Sequence, residues 1–386
     1  MNLGLTRNTW LIIISQFLIG VTFGLWFYIL PVHLRTLGAS PSQVGFTLSA
    51  MGFSTLIMVL PIGYLADRYD LRKLMIIMKS FPIIPLMLLA TTRQWQFVML
   101  LIFVIFIEGS VVTVFNSFLT RVVEPEDLQR SFSMVTSGYL IGEVVFRSVG
   151  AWIAECAGME LVFYLSAVVS ILSLVPIFFI QLEGVEAEPF EINYLPLLRS
   201  KVFIHVSLYI FTVLLLMEVA VALVPNYLSE VVGLELPSLG WMGSLTALGG
   251  ALLCIYYGRM KTRWGLISAQ VSMILSLVLL LFIPLGPYLL TSVFLMGSRY
   301  GSFPLVDALM GSIVHPQLSG LAFAFVGVVF GLSQLLGPVI SGVLYELSPP
   351  APMITASFGL AVLTIVTITS PRFRIWKGVG HHDMGR

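Results

Sequence analysis

Apolar runs follow one another along this chain, and nearly every charged side chain falls in the short gaps between them. A helix needs ~20 apolar residues to cross a bilayer. Runs of that order lie at 10–31, 43–64, 74–92, 95–120, 131–154 and 160–181 in the first half. In the second they lie at 202–229, 238–258, 264–285, 288–313, 320–345 and 352–370, twelve in all. The longest polar interruption runs from Glu183 to Lys201, with Glu183, Glu186, Glu188 and Glu191 ahead of Arg199 and Lys201. The expected organisation is an all-α membrane protein: an N-terminal six-helix bundle over 1–182, a linker over 183–201, and a C-terminal six-helix bundle with a short tail over 202–386.

Composition fits lipid rather than water. Hydrophobic residues make up 58% of the chain and charged ones 10%, against ~25% charged in ordinary soluble domains. A formal net charge of +1 offers no basic surface to phosphates, so no nucleic-acid partner is expected. Cys156 and Cys254 sit in apolar runs without metal-ligand spacing and read as small core residues. No cleavable signal peptide is evident, because Trp10 to Pro31 is long enough to span and no small-residue cleavage site follows it. A membrane-embedded enzyme would need a clustered nucleophile and base, or a metal site. The chain has no His-x-x-x-His, no acidic ligand cluster and no nucleotide loop, and His381-His382 lies in a polar tail. Enzymatic activity, a metal and a cofactor are therefore not expected. A receptor would carry large soluble appendages, for which the loops are too short.

Lysine and arginine collect in the cytoplasmic loops of membrane proteins. With the N-terminus inside, sixteen of the 20 fall on the cytoplasmic side, Lys79 counted with Arg68, Arg72 and Lys73. Arg35 and Arg93 fall outside, and Arg147 and Arg299 lie within helices. Both termini are thus expected in the cytoplasm. The halves also echo each other. A shift of 195 lays Gly258-x-x-x-Thr262-Arg263-x-Gly265 on Gly63-x-x-x-Asp67-Arg68-x-Asp70. A shift of 194 lays Pro225 on Pro31, and one of 191 lays Asp307 and Pro316 on Asn116 and Pro125. Duplicated halves are what parallel transporter repeats produce.

The charged island Gly63–Lys73, with its Gly-x-x-x-Asp-Arg and following basic pair between apolar flanks, resembles the signature loop of the major facilitator superfamily. Asp70 and Leu71 stand where that family has its next Gly and Arg. Together with the repeat, the resemblance covers essentially the whole chain. It implies twelve transmembrane helices in two pseudo-symmetric six-helix bundles around a central cavity. It also implies a monomeric multi-pass protein of the lipid bilayer, which in a bacterium means the cytoplasmic (inner) membrane. In the family, an acid at the place of Asp67 faces the start of the eleventh helix, whose free N–H groups carry partial positive charge. That contact holds the cytoplasmic side closed. Here the helix is expected to begin near Ser319-Gly320, with no Lys or Arg between His315 and Ser319. Arg68 and Arg72 are expected to pair with Glu124, Glu126 or Asp127. In the second copy, where Thr262 replaces the acid, Arg259 or Arg263 is expected to meet Glu126 and Asp127. Gly63, Asp67, Arg68, Arg72, Gly258 and Arg263 thus form the expected gating motif.

Six ionisable residues fall well inside predicted helices: Glu108, Glu143, Arg147, Glu218, Arg299 and Asp307. Each costs at least ~2.5–3.5 kcal/mol at mid-membrane, so such residues face a cavity or a partner. Glu143 and Arg147 stand i,i+4 with the acid first, the favourable order for a helical pair. Glu108 and Arg299 coincide under the shift of 191 and are expected to face each other between the bundles. Two carboxylates then remain without a counter-charge, and such a group takes a proton more readily than a paired one. Glu218, with no base within a turn or two, is the first candidate for proton coupling, and Asp307 the second. The resemblance places the first, fourth, seventh and tenth helices around the cavity, with Trp26, Phe27, Tyr28 and Asn116 as companions of the charges. An acidic, aromatic cavity suits a lipophilic cation; Arg147 and Arg299 suit a carboxylate or phosphate; both signs together permit a zwitterion.

Proton-coupled drug exporters of the superfamily carry Gly-x-x-x-Gly-Pro-x-x-Gly-Gly in the fifth helix. Here Phe146-Arg147 replaces the central Gly-Pro, and the exporters' fourth-helix Arg falls at Ile105. The eleventh helix keeps Gly337-Pro338 and Gly342. The expected function is secondary active transport of a small organic solute by alternating access, coupled to protons, with export by antiport favoured. A uniporter, a cation-coupled symporter or a lipid transporter of the same fold is the alternative.

Overall fold

The computed structural model describes residues 6–123, 125–181, 201–282, 286–313 and 319–369. The first half holds α1 (Arg7–Trp26), α2 (Leu30–Thr36), α3 (Pro41–Arg68), α4 (Leu71–Ser80), α5 (Ile83–Thr91), α6 (Trp95–Ile107), α7 (Val111–Val122) and α8 (Pro125–Phe178). The second holds α9 (Lys201–Val221), α10 (Val224–Glu230), α11 (Leu236–Gly258), α12 (Thr262–Phe282), α13 (Gly286–Met296), α14 (Ser298–Ile313), α15 (Ser319–Leu347) and α16 (Ala351–Thr369). Apart from Lys201, the expected linker lies outside the described residues.

Among the described residues, ten stretches are long and apolar enough to cross a membrane. One of them, Met134–Phe178, has 45 residues and reverses at Gly158, whose φ is +84°, so it holds two passes. The broken pair α13 and α14 supplies one more. Side chains such as Trp241, Phe282 and Phe358 are largely exposed around the outside, a belt that belongs against acyl chains. Cys156, two residues before the reversal at Gly158, is exposed rather than in the core.

Several passes are broken at mid-length, and the sequence accounts for it. Pro31 and Pro225 stand in the first turn of α2 and α10, and a proline has no N–H to continue the ladder from the preceding helix. The first and seventh passes therefore break at 27–29 and 222–223. The fourth breaks at the short 3-10 turn Glu108–Ser110, and the tenth at Gly297. Irregular backbone at membrane depth is tolerated where protein or a cavity covers it.

The halves lean on each other at one end of the bundle, where α3 packs on α15 and α8 on α11. Asn226 Nδ2 donates to Pro31 O at 3.0 Å, the Ser148 and Ser244 hydroxyls lie 2.6 Å apart, and Ser42 N–H donates to Glu346 at 3.2 Å. We call this the closed end. The opposite, basic end carries the α3–α4 and α11–α12 turns. There Arg72 donates to Phe178 O, while Arg263 donates to Thr367 O at 2.9 Å and Ile368 O at 3.0 Å. Each arginine thus satisfies carbonyls at a helix end within its own half, where a cation is favoured. The acids expected to meet Arg263 in the second latch, Glu126 and Asp127, have side chains outside the described residues.

These positions correct the repeat. Gly63 and Asp67 lie within α3, which ends at Arg68, whereas Gly258 is the last residue of α11 and Thr262 the first of α12. α11 has 23 residues against 28 in α3, so the register drifts across this pass. Structurally Thr262 answers Leu71, and Arg263 answers Arg72. Lys79 also moves: it is a fully buried residue of α4, not a loop cation.

A central cavity and its charge network

Between the halves lies a cavity, about 700 Å³ when all the space out to its open mouth is counted. Three of the broken passes line it: Phe27, Tyr28 and Pro31 from the first, Val221, Ala222, Val224 and Pro225 from the seventh, and Met296, Arg299 and Tyr300 from the tenth. Leu48 and Met51 of α3, Arg147 of α8, Glu218 of α9, Thr246 of α11 and Pro338 of α15 complete the wall. Gly337 allows α15 to lie directly against Glu218, because any Cβ there would overlap that residue's own Cβ.

Two acid–base pairs meet at this wall. Arg299 gives Nε to Glu218 Oε1 at 3.0 Å and Nη2 to the same oxygen at 2.5 Å. Arg147 gives Nη2 to Glu143 Oε2 at 2.9 Å and to the Tyr300 hydroxyl at 3.1 Å, and Nη1 to Gly243 O at 3.1 Å. Tyr139 donates its hydroxyl to Glu143 Oε1 at 3.1 Å. Tyr300 stands between the arginines, with the Arg299 and Arg147 guanidinium carbons 5.2 and 5.9 Å from its ring centre, and Arg147 is also 5.4 Å from the Tyr28 ring. Such faces attract guanidinium groups. One tyrosine therefore links the pair of the first half to that of the second.

The i,i+4 spacing of Glu143 and Arg147 is realised as a buried ion pair. The other expected pairings change. Glu108 does not meet Arg299; it lies 3.5 Å from Lys79, both buried within the first half, with the Lys79 ammonium 5.7 Å from the Phe115 ring centre. Glu218 is not unpaired, since Arg299 reaches it from the neighbouring pass. Counting Lys79 as a loop residue left the four expected intramembrane acids two bases short; as a third buried base it balances Glu108. Asn116 is exposed on α7 and does not line this cavity, and Trp26 is buried against Phe163, their ring centres 6.0 Å apart. Phe27 and Tyr28 do line it. The side chains of Asp67, Arg68, Glu124, Glu126, Asp127 and Asp307 lie outside the described set.

Tyr300, Tyr139 and Thr246 carry no sequence signal of their own, though Tyr300 adjoins an intramembrane arginine. Among the described residues no group of His, Cys, Asp and Glu is placed to hold a metal ion. What the arrangement offers is a cavity between two halves, with an acid–base pair from each half beside it and Tyr300 joining them.

Known proteins agree with that reading. A family model described as Major Facilitator Superfamily matches residues 12–301 and 206–382. Over 384 residues the chain is 25% identical to the multidrug resistance protein MdtG of Dickeya zeae (strain Ech586), covering 94% of this chain and 91% of that one. The fold matches the nucleoside transporter NupG with a TM-score of 0.74 at 16% identity, covering 96% of this chain and 100% of that one. It matches a bacterial homolog of the human lysosomal transporter Spinster with a TM-score of 0.71 at 14% identity, covering 96% and 94%. With its duplicated halves, broken passes and central cavity, the chain belongs to the major facilitator superfamily and is a multi-pass membrane transporter of small solutes, not an enzyme.

Proposed function

We propose that this protein is a secondary active transporter that carries a small organic solute by alternating access and couples it to protons through Glu218 and Arg299. The observation that carries this reading is the pair itself, set in the cavity wall where the seventh and tenth passes meet. A proton on Glu218 removes the charge that holds Arg299, so proton and solute act on the same bond. Export by antiport, in keeping with the name of MdtG, requires a solute that competes with the proton for Glu218. A solute taken by Arg299 travels with the proton instead.

The positive-inside rule supports placing the basic end in the cytoplasm, which makes the closed end the outer one and this conformation inward-facing. Opening the outer end then parts Arg147 from Gly243 and Tyr300, while its bond to Glu143 stays within the first half. The two bundles, 1–182 and 202–386, move as units, and Asp67 near the end of α3 latches the cytoplasmic side when it closes. The cavity lies within one chain, so a monomer suffices. The test is reconstitution into liposomes holding a pH-sensitive dye, with cationic, anionic and zwitterionic solutes supplied in turn. Solute-dependent proton movement is expected, and Glu218→Gln should abolish it. Proton movement that persists in that variant removes the coupling role, and solute movement without protons makes the protein a uniporter.

A further inference from the structure

The charges that line the cavity are unequal. Arg147, Arg299 and Glu218 all line it, while Glu143 stands behind Arg147 and is not part of the wall. The surface a solute meets therefore has two guanidinium groups and one carboxylate. A guanidinium has five N–H donors. Arg147 commits three, to Glu143, Tyr300 and Gly243. Arg299 commits two, both to Glu218 Oε1. Half of the donors are left without a protein partner among the described residues. The single lining carboxylate has one oxygen already accepting twice. An incoming cation meets a carboxylate whose charge Arg299 already balances, whereas an anion meets donors that are unused and suited to forked recognition. Around them lie the Phe27 and Tyr28 rings and the apolar chains of Leu48, Met51 and Met296.

From this imbalance we propose that the solute is a compact organic anion, with a carboxylate, sulfonate or phosphate held by Arg299 and an aromatic or apolar body. The assignment rests on the reading of this cavity as the transport site. It also sets the coupling: protonating Glu218 frees Arg299, so anion and proton bind together and travel in the same direction, in place of exchange.

The full chain in nanodiscs, titrated calorimetrically against empty nanodiscs, tests the site with 2-naphthalenesulfonate, tetraphenylphosphonium and uridine. The sulfonate is expected to bind saturably and the phosphonium not. Arg299→Gln should weaken the sulfonate about tenfold or more, the loss of a charge-assisted hydrogen bond. Glu218→Gln, which removes the competing carboxylate, should tighten it, an effect that a merely structural role for the pair would not produce. Should Arg299→Gln fail to fold, Arg299→Lys replaces it and should weaken binding less. Absence of sulfonate binding, preference for the phosphonium, or weaker binding in Glu218→Gln would overturn the assignment. Sulfonate that binds but shows no counterflow in liposomes leaves the anion site standing and removes the transport reading instead.

Discussion

Arg35 Nε lies 2.6 Å from Glu230 Oε1, and both residues stand in the last turn of a short helix, α2 and α10. The two halves thus clasp each other through opposite charges at the ends of these helices. Tyr345 donates to the other Glu230 oxygen at 3.1 Å, and Arg35 Nη1 to Ala39 O at 2.6 Å. Both partners are about one-third exposed, so the pair contributes ~0.2–1 kcal/mol. Arg35→Gln should raise the labelling rate of a single cysteine at Ser42 by at most about fivefold, since 1 kcal/mol is worth about that factor. An unchanged rate would show that the clasp does not hold the closed end.

Ser148 and Ser244 offer a stronger lock. Their hydroxyls are 2.6 Å apart across the halves, and Ser148 N–H also donates to the Ser244 oxygen at 3.2 Å. With Cys156 and Cys254 replaced by serine, Ser148→Cys with Ser244→Cys should form a disulfide on mild oxidation, because a bridge needs sulfurs about 2 Å apart. Transport should stop on oxidation and return on reduction. Full transport in the crosslinked protein would mean that these two passes need not separate.

The number of passes, the duplication and the Glu143–Arg147 pair were legible in the sequence because each is local or periodic. The other pairings were not. Lys79 is the ninth residue of α4 and six beyond Lys73, near enough to the charged turn to be counted with it, and only the packing of α4 on the fourth pass turns it toward Glu108. Arg299 reaches Glu218 from the tenth pass, two residues beyond a break at Gly297 that itself packs against Thr246, Gly249 and Gly250 of α11, a relationship that sequence distance conceals. The repeat misled at Thr262 because a motif shift of 195 ignores the shorter α11. Side-chain partners across a helical bundle depend on rotation and depth, which hydropathy does not record.

The Lys79–Glu108 pair permits a test of that correction. The Lys79 ammonium and both Glu108 oxygens are buried without a hydrogen bond among the described residues, although the charges are 3.5 Å apart. Removing one partner of a buried pair leaves an uncompensated charge and costs ~3–5 kcal/mol, while replacing both by apolar groups is often neutral or better. Lys79→Met alone should lower the thermal midpoint of the detergent-solubilised protein; Lys79→Met with Glu108→Met should restore it. Because the pair lines no part of the cavity, the restored double variant should keep proton-coupled transport. Its loss at normal stability would return Glu108 to the transport machinery.

Two glycines of α3, one near its middle and one near its basic end, separate the conformations. At Gly52 an added Cβ would overlap the backbone of α15 at Leu335 and Gly331, so α3 and α15 pack this closely only without a side chain there. Gly52→Ala gains about 1 kcal/mol of helix propensity, yet the overlap forces the two helices apart. The closed end should open, labelling of a Ser42→Cys reporter should rise, and transport should fall. At Gly63 a Cβ would meet nothing within 4 Å. Gly63→Ala should therefore leave this conformation unstrained and raise its stability by roughly the same propensity term. If the signature glycine is needed for close packing, that need arises when the basic end closes. Gly63→Ala should then keep the Ser42→Cys reporter protected while transport is lost, the reverse of Gly52→Ala. Normal transport in Gly63→Ala would show that the glycine is no contact in either conformation, and the gate would rest on Asp67 and the neighbouring charges alone.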